Sequence, residues 1–270
     1  MTFGIIGGDC RQTELAALLK GRGEQVYTFA LPGTKCCDEL ERVLQADVVI
    51  FPLPLSKGRG EINNTRGLSM PLEKVFSSLR PDQKLFGGQV KETERELAAH
   101  LGLQLEDYFL REELTVTNAA ITADCAMRLI GMYGEYRRIL VLGFGRMGNL
   151  LCHRLHRAGK EVAAAARREE VLAWIRGYGY EAVAFEELPE RILEFDLVIN
   201  TVPAPILKPE LLERMKCSIL DLASRPCVAA EYPRYISARG LPGRMEPKAA
   251  ATAIWETIHH ILLGSGGESV

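Results

Sequence analysis

The 270-residue chain has no excess of either charge: 33 Lys and Arg stand against 35 Asp and Glu, a formal net charge of −2. That balance leaves no electrostatic footprint for nucleic acid or an anionic membrane. No apolar run approaches the roughly 20 residues that a bilayer span needs. The N-terminus enters a strand at Phe3-Gly4-Ile5-Ile6, with neither a basic region nor a signal-type apolar core ahead of it. Cysteine comes to an odd seven without any C-x-x-C, and Cys36 and Cys37 are adjacent, an arrangement ill suited to one metal. The expectation is reduced thiols in a cytoplasm, packed as small hydrophobes, and no metal site. His153 and His156 share a helix face at i, i+3 spacing and read as a surface pair. Repeats and low-complexity segments are lacking too. At 47% hydrophobic and 25% charged, the composition is that of a globular chain long enough for two cores.

Gly143-Phe144-Gly145-Arg146-Met147-Gly148 is the most informative stretch present. Before it stands Arg138-Ile139-Leu140-Val141-Leu142, an apolar run that reads as a buried parallel strand. After it, Asn149 to Ala158 follows a helical pattern closed by Gly159. Strand, G-x-G-x-x-G and helix in that order form the dinucleotide fingerprint. Gly143, Gly145 and Gly148 permit a tight turn and close approach of a pyrophosphate, Arg146 and Met147 in the same turn are candidate cofactor-binding residues, and the N-terminus of the helix that follows offers free N–H groups. The next strand, Glu161 to Ala166, ends in Arg167 and Arg168, where an NAD site usually carries an acidic residue for the ribose 2′-hydroxyl. Two guanidiniums suit a 2′-phosphate, so NADP is favoured and NAD remains open.

The remainder alternates strand and helix, as in parallel sheets covered on both faces. Strands are expected at Thr2–Gly7, Gln25–Ala30, Asp47–Phe51, Lys84–Gly88 and Leu103–Glu106, with helices near Arg11–Lys20 and Thr93–His100. Pro52 to Gly60 reads as loop. A long helix from Asn118 to Tyr136 should join the domains. Later strands are expected at Ala182–Phe185, Asp196–Thr201, Ser218–Ala223 and near Gly240-Leu241, and a last helix at Glu246–Leu263. The fold class is thus α/β, with two Rossmann-like doubly wound domains joined by long helices, as in 2-hydroxyacid dehydrogenases. Residues 1–117 should form a flavodoxin- or Rossmann-like substrate-side domain, onto which the helical segment 246–270 packs back. Residues 118–245 should form the NAD(P)-binding domain. The tail from Gly264 to Val270 is expected to fray.

Strand ends place the chemistry. Asn200-Thr201-Val202-Pro203 should border the nicotinamide ribose through Thr201, Val202 and Pro203. Asp221-Leu222-Ala223-Ser224-Arg225-Pro226 brings Ser224 to the cofactor and Arg225 to a substrate carboxylate. The segment from Leu241 to Lys248 offers Lys248, to hold a carboxylate or accept a proton. No histidine falls there, and alcohol oxidation needs a base that is most often histidine. Dehydrogenation across C–C or C–N is the better fit. At the first strand end, Gly7-Gly8-Asp9-Cys10-Arg11-Gln12 opens a helix. Asp9, with Arg225 and Lys248, is a candidate catalytic residue, Arg11 and Gln12 are candidate substrate-binding residues, and Arg11 with Arg225 could clamp a small dicarboxylate from opposite domains.

These residues carry a resemblance over essentially the whole chain. Ile6-Gly7-Gly8-Asp9 with Arg11-Gln12, the fingerprint, Ile199 to Pro203, Leu220 to Pro226, and Leu241-Pro242-Gly243 with Pro247-Lys248 are similar to the dipicolinate synthase A-subunit family, the dehydrogenase-like component of that enzyme. The resemblance implies oxidation of dihydrodipicolinate to dipicolinate with an NAD(P)-type cofactor. It also implies the flavoprotein-like B-subunit of dipicolinate synthase for a partner, in the mother cell of a sporulating bacterium. Aromatisation supplies driving force, so a strong dedicated base is unnecessary. Asn118 and Thr122 fit the family's pattern at the connecting helix and are implied as substrate-binding residues. Ile121, Asp124 and Cys125 depart from its proline, glutamate and glycine, and Cys227-Val228 from its glycines. A homo-oligomer is expected. Two other readings stand beside this one: another NADP-dependent oxidoreductase of a small carboxylate, such as a hydroxyacid or imino-acid reductase, and a non-catalytic nucleotide-binding partner of a flavoprotein.

Overall fold

A computed structural model describes residues 1–33, 40–58 and 60–264. Cys36, Cys37 and the tail beyond Gly264 lie outside the described residues. The chain forms two compact units, Met1–Asn118 with Pro242–Val270, and Ala119–Leu241.

The first unit runs β1 (Thr2–Ile6), α1 (Cys10–Gly21), β2 (Gln25–Phe29), α2 (Leu40–Gln45), β3 (Val48–Ile50), β4 (Ser56–Lys57), β5 (Glu61–Ile62), α3 (Leu72–Phe76), β6 (Lys84–Gly87), α4 (Glu92–His100) and β7 (Leu105–Asp107). Its parallel sheet has the order β2-β1-β3-β6-β7. That is the flavodoxin-like order, whose switch point lies between β1 and β3. Loops from those two strand ends therefore flank the crevice in which such sheets take ligands. The segment after β3, expected as loop, pairs β4 with β5 in a two-residue antiparallel ladder. Pro52 and Pro54 stand just before that ladder, a punctuation that hides so short a strand in the sequence.

The second unit contains β8 (Arg138–Leu142), α6 (Arg146–Arg157), β9 (Glu161–Ala166), α7 (Glu169–Gly177), β10 (Glu181–Ala184), α8 (Leu188–Arg191), β11 (Leu197–Asn200), α9 (Pro209–Arg214), β12 (Ser218–Asp221) and β13 (Tyr235–Ser237). The six strands are parallel, in the order β10-β9-β8-β11-β12-β13. This is the dinucleotide-binding topology, with its switch point between β8 and β11. Ile139 to Leu142 are fully buried, as a strand covered on both faces must be.

The connecting helix α5 (Glu112–Tyr133) starts six residues before Asn118. Glu112 and Glu113 occupy its first turn, where carboxylates favour the helix dipole. Asn118 and Thr122 are consequently mid-helix residues, and Thr122 is buried. No strand forms at Gly240-Leu241. The edge strand is β13, and Leu241–Met245 is instead helix α10, which accommodates Pro242 in its first turn. The last helix, α11 (Pro247–Gly264), belongs to the first unit. There Ala251, Ile254, Trp255 and Ile258 join Phe3, Leu15 and Leu19 in one core, with Trp255 edge-on to Phe3 at 5.6 Å. No helix among the described residues is long and apolar enough to cross a membrane.

Candidate functional site

The glycine turn is built by close approach. Gly143 lies at φ +92°, and a Cβ there would stand 2.7 Å from Thr201 Oγ1 and 2.8 Å from Val202 Cγ2. A Cβ at Gly148 would overlap the Gly143 carbonyl oxygen, so the first turn of α6 can pass the loop only as glycine. Gly145 differs: it is the N-cap of α6, has no side-chain cap, and faces open space. The free N–H groups of α6 and the positive end of its dipole thus look onto an open volume, which fits a pyrophosphate. Thr201 Oγ1 donates to Leu142 O at 2.8 Å and fixes the facing loop. Pro203, Arg146 and the ring-bearing Phe144 border the same strand ends, Pro203 and Arg146 exposed, Phe144 half-buried.

Beside the turn lies a cavity of about 360 Å³, lined among others by Gly145, Ala166, Arg167, Arg168, Phe185 and Val202. Its apolar walls and two guanidiniums suit the adenosine half of a dinucleotide bearing a 2′-phosphate. Arg167 stacks its guanidinium on Phe185, 5.3 Å from the ring centre. Arg168 pairs with Glu170 at 2.6 Å, but both side chains are largely exposed, and such pairs contribute little. A phosphate could displace that partner.

Next to β8, the ends of β11 and β12 are tied by two fully buried polar residues, Asn200 and Asp221. Neither stands among the residues singled out as ligand contacts from the sequence. Asn200 Nδ2 donates to Asp221 Oδ1 at 2.8 Å. Asp221 also accepts from Ala223 N, Cys227 N and the Tyr235 hydroxyl. Ser224 and Arg225, which lie between those two backbone anchors, are exposed. Burial pushes the Cys227 thiol above its usual range, and the neighbouring Asp221 charge adds to the effect.

In the first unit, Asp9 caps α1. Its carboxylate accepts from Arg11 N, while Gln12 Oε1 accepts from Asp9 N. This reciprocal cap engages the Oε1 of Gln12, which is fully buried, while its Nε2 meets no partner within the protein. Arg11 turns back on the same carboxylate, with Nε 2.9 Å from Oδ1 and Nη2 2.8 Å from Oδ2, and Nη2 also reaches Leu53 O. The carboxylate that Arg11 forks onto is therefore Asp9, and the guanidinium is only 13% exposed. Gly243 closes the pair from α10: a Cβ there would be 2.9 Å from Asp9 Oδ2. Burial raises the Asp9 pKa, but hydrogen bonds and charge from Arg11 outweigh it, leaving the carboxyl below its usual value of 3.8. A depressed carboxylate stabilises the fold above that value and loses the contribution as pH falls through its folded pKa. Melting curves recorded downward from about pH 5 should show an acid-side loss that Asp9→Asn reduces; an unchanged acid limb would remove the ion pair from this account.

Lys248 is exposed in the first turn of α11, in the first unit, whereas Arg225 belongs to the second. Asp124, which stands where the resemblance puts a glutamate, pairs with Arg154 through contacts of 2.5 and 3.1 Å. It is engaged within α5 and α6.

Residues 2–109 match the family described as the N-terminal domain of the dipicolinate synthase A-subunit, and residues 126–235 that of shikimate/quinate 5-dehydrogenase. The dipicolinate synthase A-subunit of Bacillus subtilis (strain 168) is 26% identical over 97% of this chain and 96% of its own length. The crystal structure of the Bacillus subtilis protein superposes with a TM-score of 0.77, covering 97% of this chain and 96% of that one. Its counterpart from Bacillus halodurans gives a TM-score of 0.81 at 20% identity, covering 97% and 98%. Escherichia coli D-lactate dehydrogenase shares the fold, with a TM-score of 0.66 at 13% identity over 100% and 98%.

Proposed function

Because the chain is a relative of the dipicolinate synthase A-subunit along almost its whole length and has a dehydrogenase-like fold, we propose that it oxidises dihydrodipicolinate to dipicolinate with a nicotinamide cofactor. The observation that carries this reading is the open glycine turn on α6 beside Arg167 and Arg168, in a chain with that relative.

A nicotinamide cofactor, NADP in this reading, would supply the hydride acceptor for the dihydropyridine ring when bound. The protein's part is placement. Gly143, Gly145 and Gly148 with the α6 N–H groups, including those of Arg146 and Met147, hold the pyrophosphate. Arg167 and Arg168 hold the 2′-phosphate. Thr201, Val202, Pro203 and Ser224 border the ribose of the nicotinamide half. Arg225 is exposed and takes a substrate carboxylate as a planar fork. Lys248 takes a carboxylate or the ring proton. Asn118, half-buried on α5, borders the substrate in this reading, whereas Thr122 and the paired Asp9 and Arg11 support the scaffold. Loss of hydride and proton leaves an aromatic pyridine, so the site needs no strong base. A second, flavoprotein-like component is the proposed partner, and sporulation the proposed setting.

Isothermal titration of NADPH and NADH into the chain tests the cofactor. Removing two charge-assisted contacts in Arg167→Ala/Arg168→Ala should weaken NADPH by about 30-fold, about 2 kcal/mol once the two contacts are discounted for solvent exposure, and leave NADH nearly unchanged. Equal losses for both nucleotides would reverse the NADP preference. Absence of nucleotide binding and of dihydrodipicolinate turnover, with and without the flavoprotein-like partner, would sink the reading.

A further inference from the structure

We propose that Asn200 and Asp221 are a buried positioning pair that couples the nucleotide loop to the Arg225 loop, so that nucleotide and dicarboxylate bind cooperatively. This rests on the function proposed above and concerns residues that touch neither ligand.

The pair arises from register. β11 and β12 run in parallel with Asn200 beside Asp221, and each is the last residue of its strand. Both side chains are fully buried. Burying an amide and a carboxylate is costly, and apolar residues could fill such space without that cost. What polar side chains add here is the shape of two turns. Asn200 Oδ1 accepts from Val202 N at 3.0 Å and its Nδ2 donates to Val202 O at 2.9 Å, closing the turn that carries Thr201 and Val202. The same Nδ2 donates to Asp221 Oδ1 at 2.8 Å. Asp221 Oδ1 accepts from Ala223 N at 3.1 Å and Oδ2 from Cys227 N at 2.8 Å, so the carboxylate grips both ends of the segment Ser224-Arg225-Pro226. Tyr235 on β13 donates to Oδ2 at 2.8 Å and holds the carboxylate from the far side.

Val202 lines the adenosine cavity and stands against Gly143. A nucleotide that orders the Val202 turn therefore orders Asn200, and through it the carboxylate that shapes the Arg225 loop. The second ligand then meets a loop already fixed and loses less conformational freedom on binding. Coupling of this kind is reciprocal: each ligand tightens the other by one factor.

The test is calorimetric titration of NADPH into the full chain, with and without saturating dipicolinate. Wild-type protein should bind NADPH about tenfold more tightly with dipicolinate present, within the usual range of coupling. Tyr235→Phe keeps the ring and removes one of the donors to Asp221. It should leave NADPH alone within about twofold of wild type and cut the enhancement to about two- to threefold. Asn200→Ala should abolish the enhancement; should it not fold, Tyr235→Phe decides alone. A purely structural pair would shift melting temperature and both affinities together and leave the ratio untouched. The coupling is overturned if wild type binds NADPH equally well with or without dipicolinate, or if Tyr235→Phe keeps the full enhancement. A chain that binds neither ligand overturns the proposed function, and the coupling with it.

Discussion

Gly148→Ala should abolish NADPH binding and lower the melting temperature by roughly 5–10 °C, the shift expected for about 2–3 kcal/mol of overpacking. Two effects oppose each other. Gly148 lies in helix α6, and alanine inside a helix is worth about 1 kcal/mol over glycine. Against that, the new Cβ would overlap the Gly143 carbonyl oxygen, a backbone atom that no rotamer change can move. Relief requires shifting either α6 or the turn at Gly143, and that turn is itself pressed on Thr201 and Val202. The steric term wins. Gly145→Ala is the matched control. Gly145 has an ordinary φ of −80° and open space around its Cβ position. Alanine should leave the melting temperature unchanged, yet it occupies the volume above the α6 N-terminus and should weaken NADPH by about tenfold or more, which is about 1.4 kcal/mol. If both variants melt and bind as wild type, the glycine turn is not the nucleotide site.

That contrast also shows what the sequence can and cannot convey. G-x-G-x-x-G between a buried strand and a helix is legible because β8, covered on both faces, reads as an unbroken apolar run. The distinct duties of its glycines are not legible, since two answer to packing and one to open space. Boundaries followed the same logic. α6 begins at Arg146 rather than Asn149, because Gly148 is there to let the helix pass Gly143 and does not interrupt it. α2, α3, α8 and α9, of four to six residues each, are too short for a helical period to declare itself. Thr117-Asn118 has the residue types of a helix start, yet it sits inside α5, where the Glu112-Glu113 turn is the true beginning.

The candidate site divides along a similar line. Residues exposed at strand ends, such as Arg225 and Arg167, can be proposed from sequence position alone. Residues whose partners come from elsewhere in the chain cannot. Arg11 has the composition of an anion anchor, but the extended backbone of Asp9 as N-cap lays its carboxylate over the first turn, within reach of Arg11 Nε. Leu53 O and Gly243 then close around the pair, from the segment after β3 and from α10. The pair is thereby neutralised and mostly covered.

Asp221→Asn should cost about 3 kcal/mol and lower the denaturation midpoint accordingly. The native carboxylate serves four donors: Asn200 Nδ2, Ala223 N, Cys227 N and the Tyr235 hydroxyl. An amide presents one oxygen and one NH2 group to them. With its oxygen toward Asn200 and Ala223, its NH2 faces the Cys227 N–H, donor against donor, in a place without water access. With the amide reversed, Asn200 and Ala223 are opposed instead. The Tyr235 hydroxyl can rotate to accept, but the backbone N–H groups cannot. At least one buried donor is left unpaired in either orientation, and that asymmetry makes losing a partner dearer than never having had one. Asp221→Leu removes the acceptor from all four bonds and should be worse still, because its branched skeleton matches but its methyl groups are larger and accept nothing. Urea titrations of the three proteins give the ranking wild type, Asn, Leu. A midpoint for Asp221→Asn equal to that of wild type would mean that the loops around Ala223 and Cys227 hold their own shape, and that the buried carboxylate does not organise the Arg225 loop.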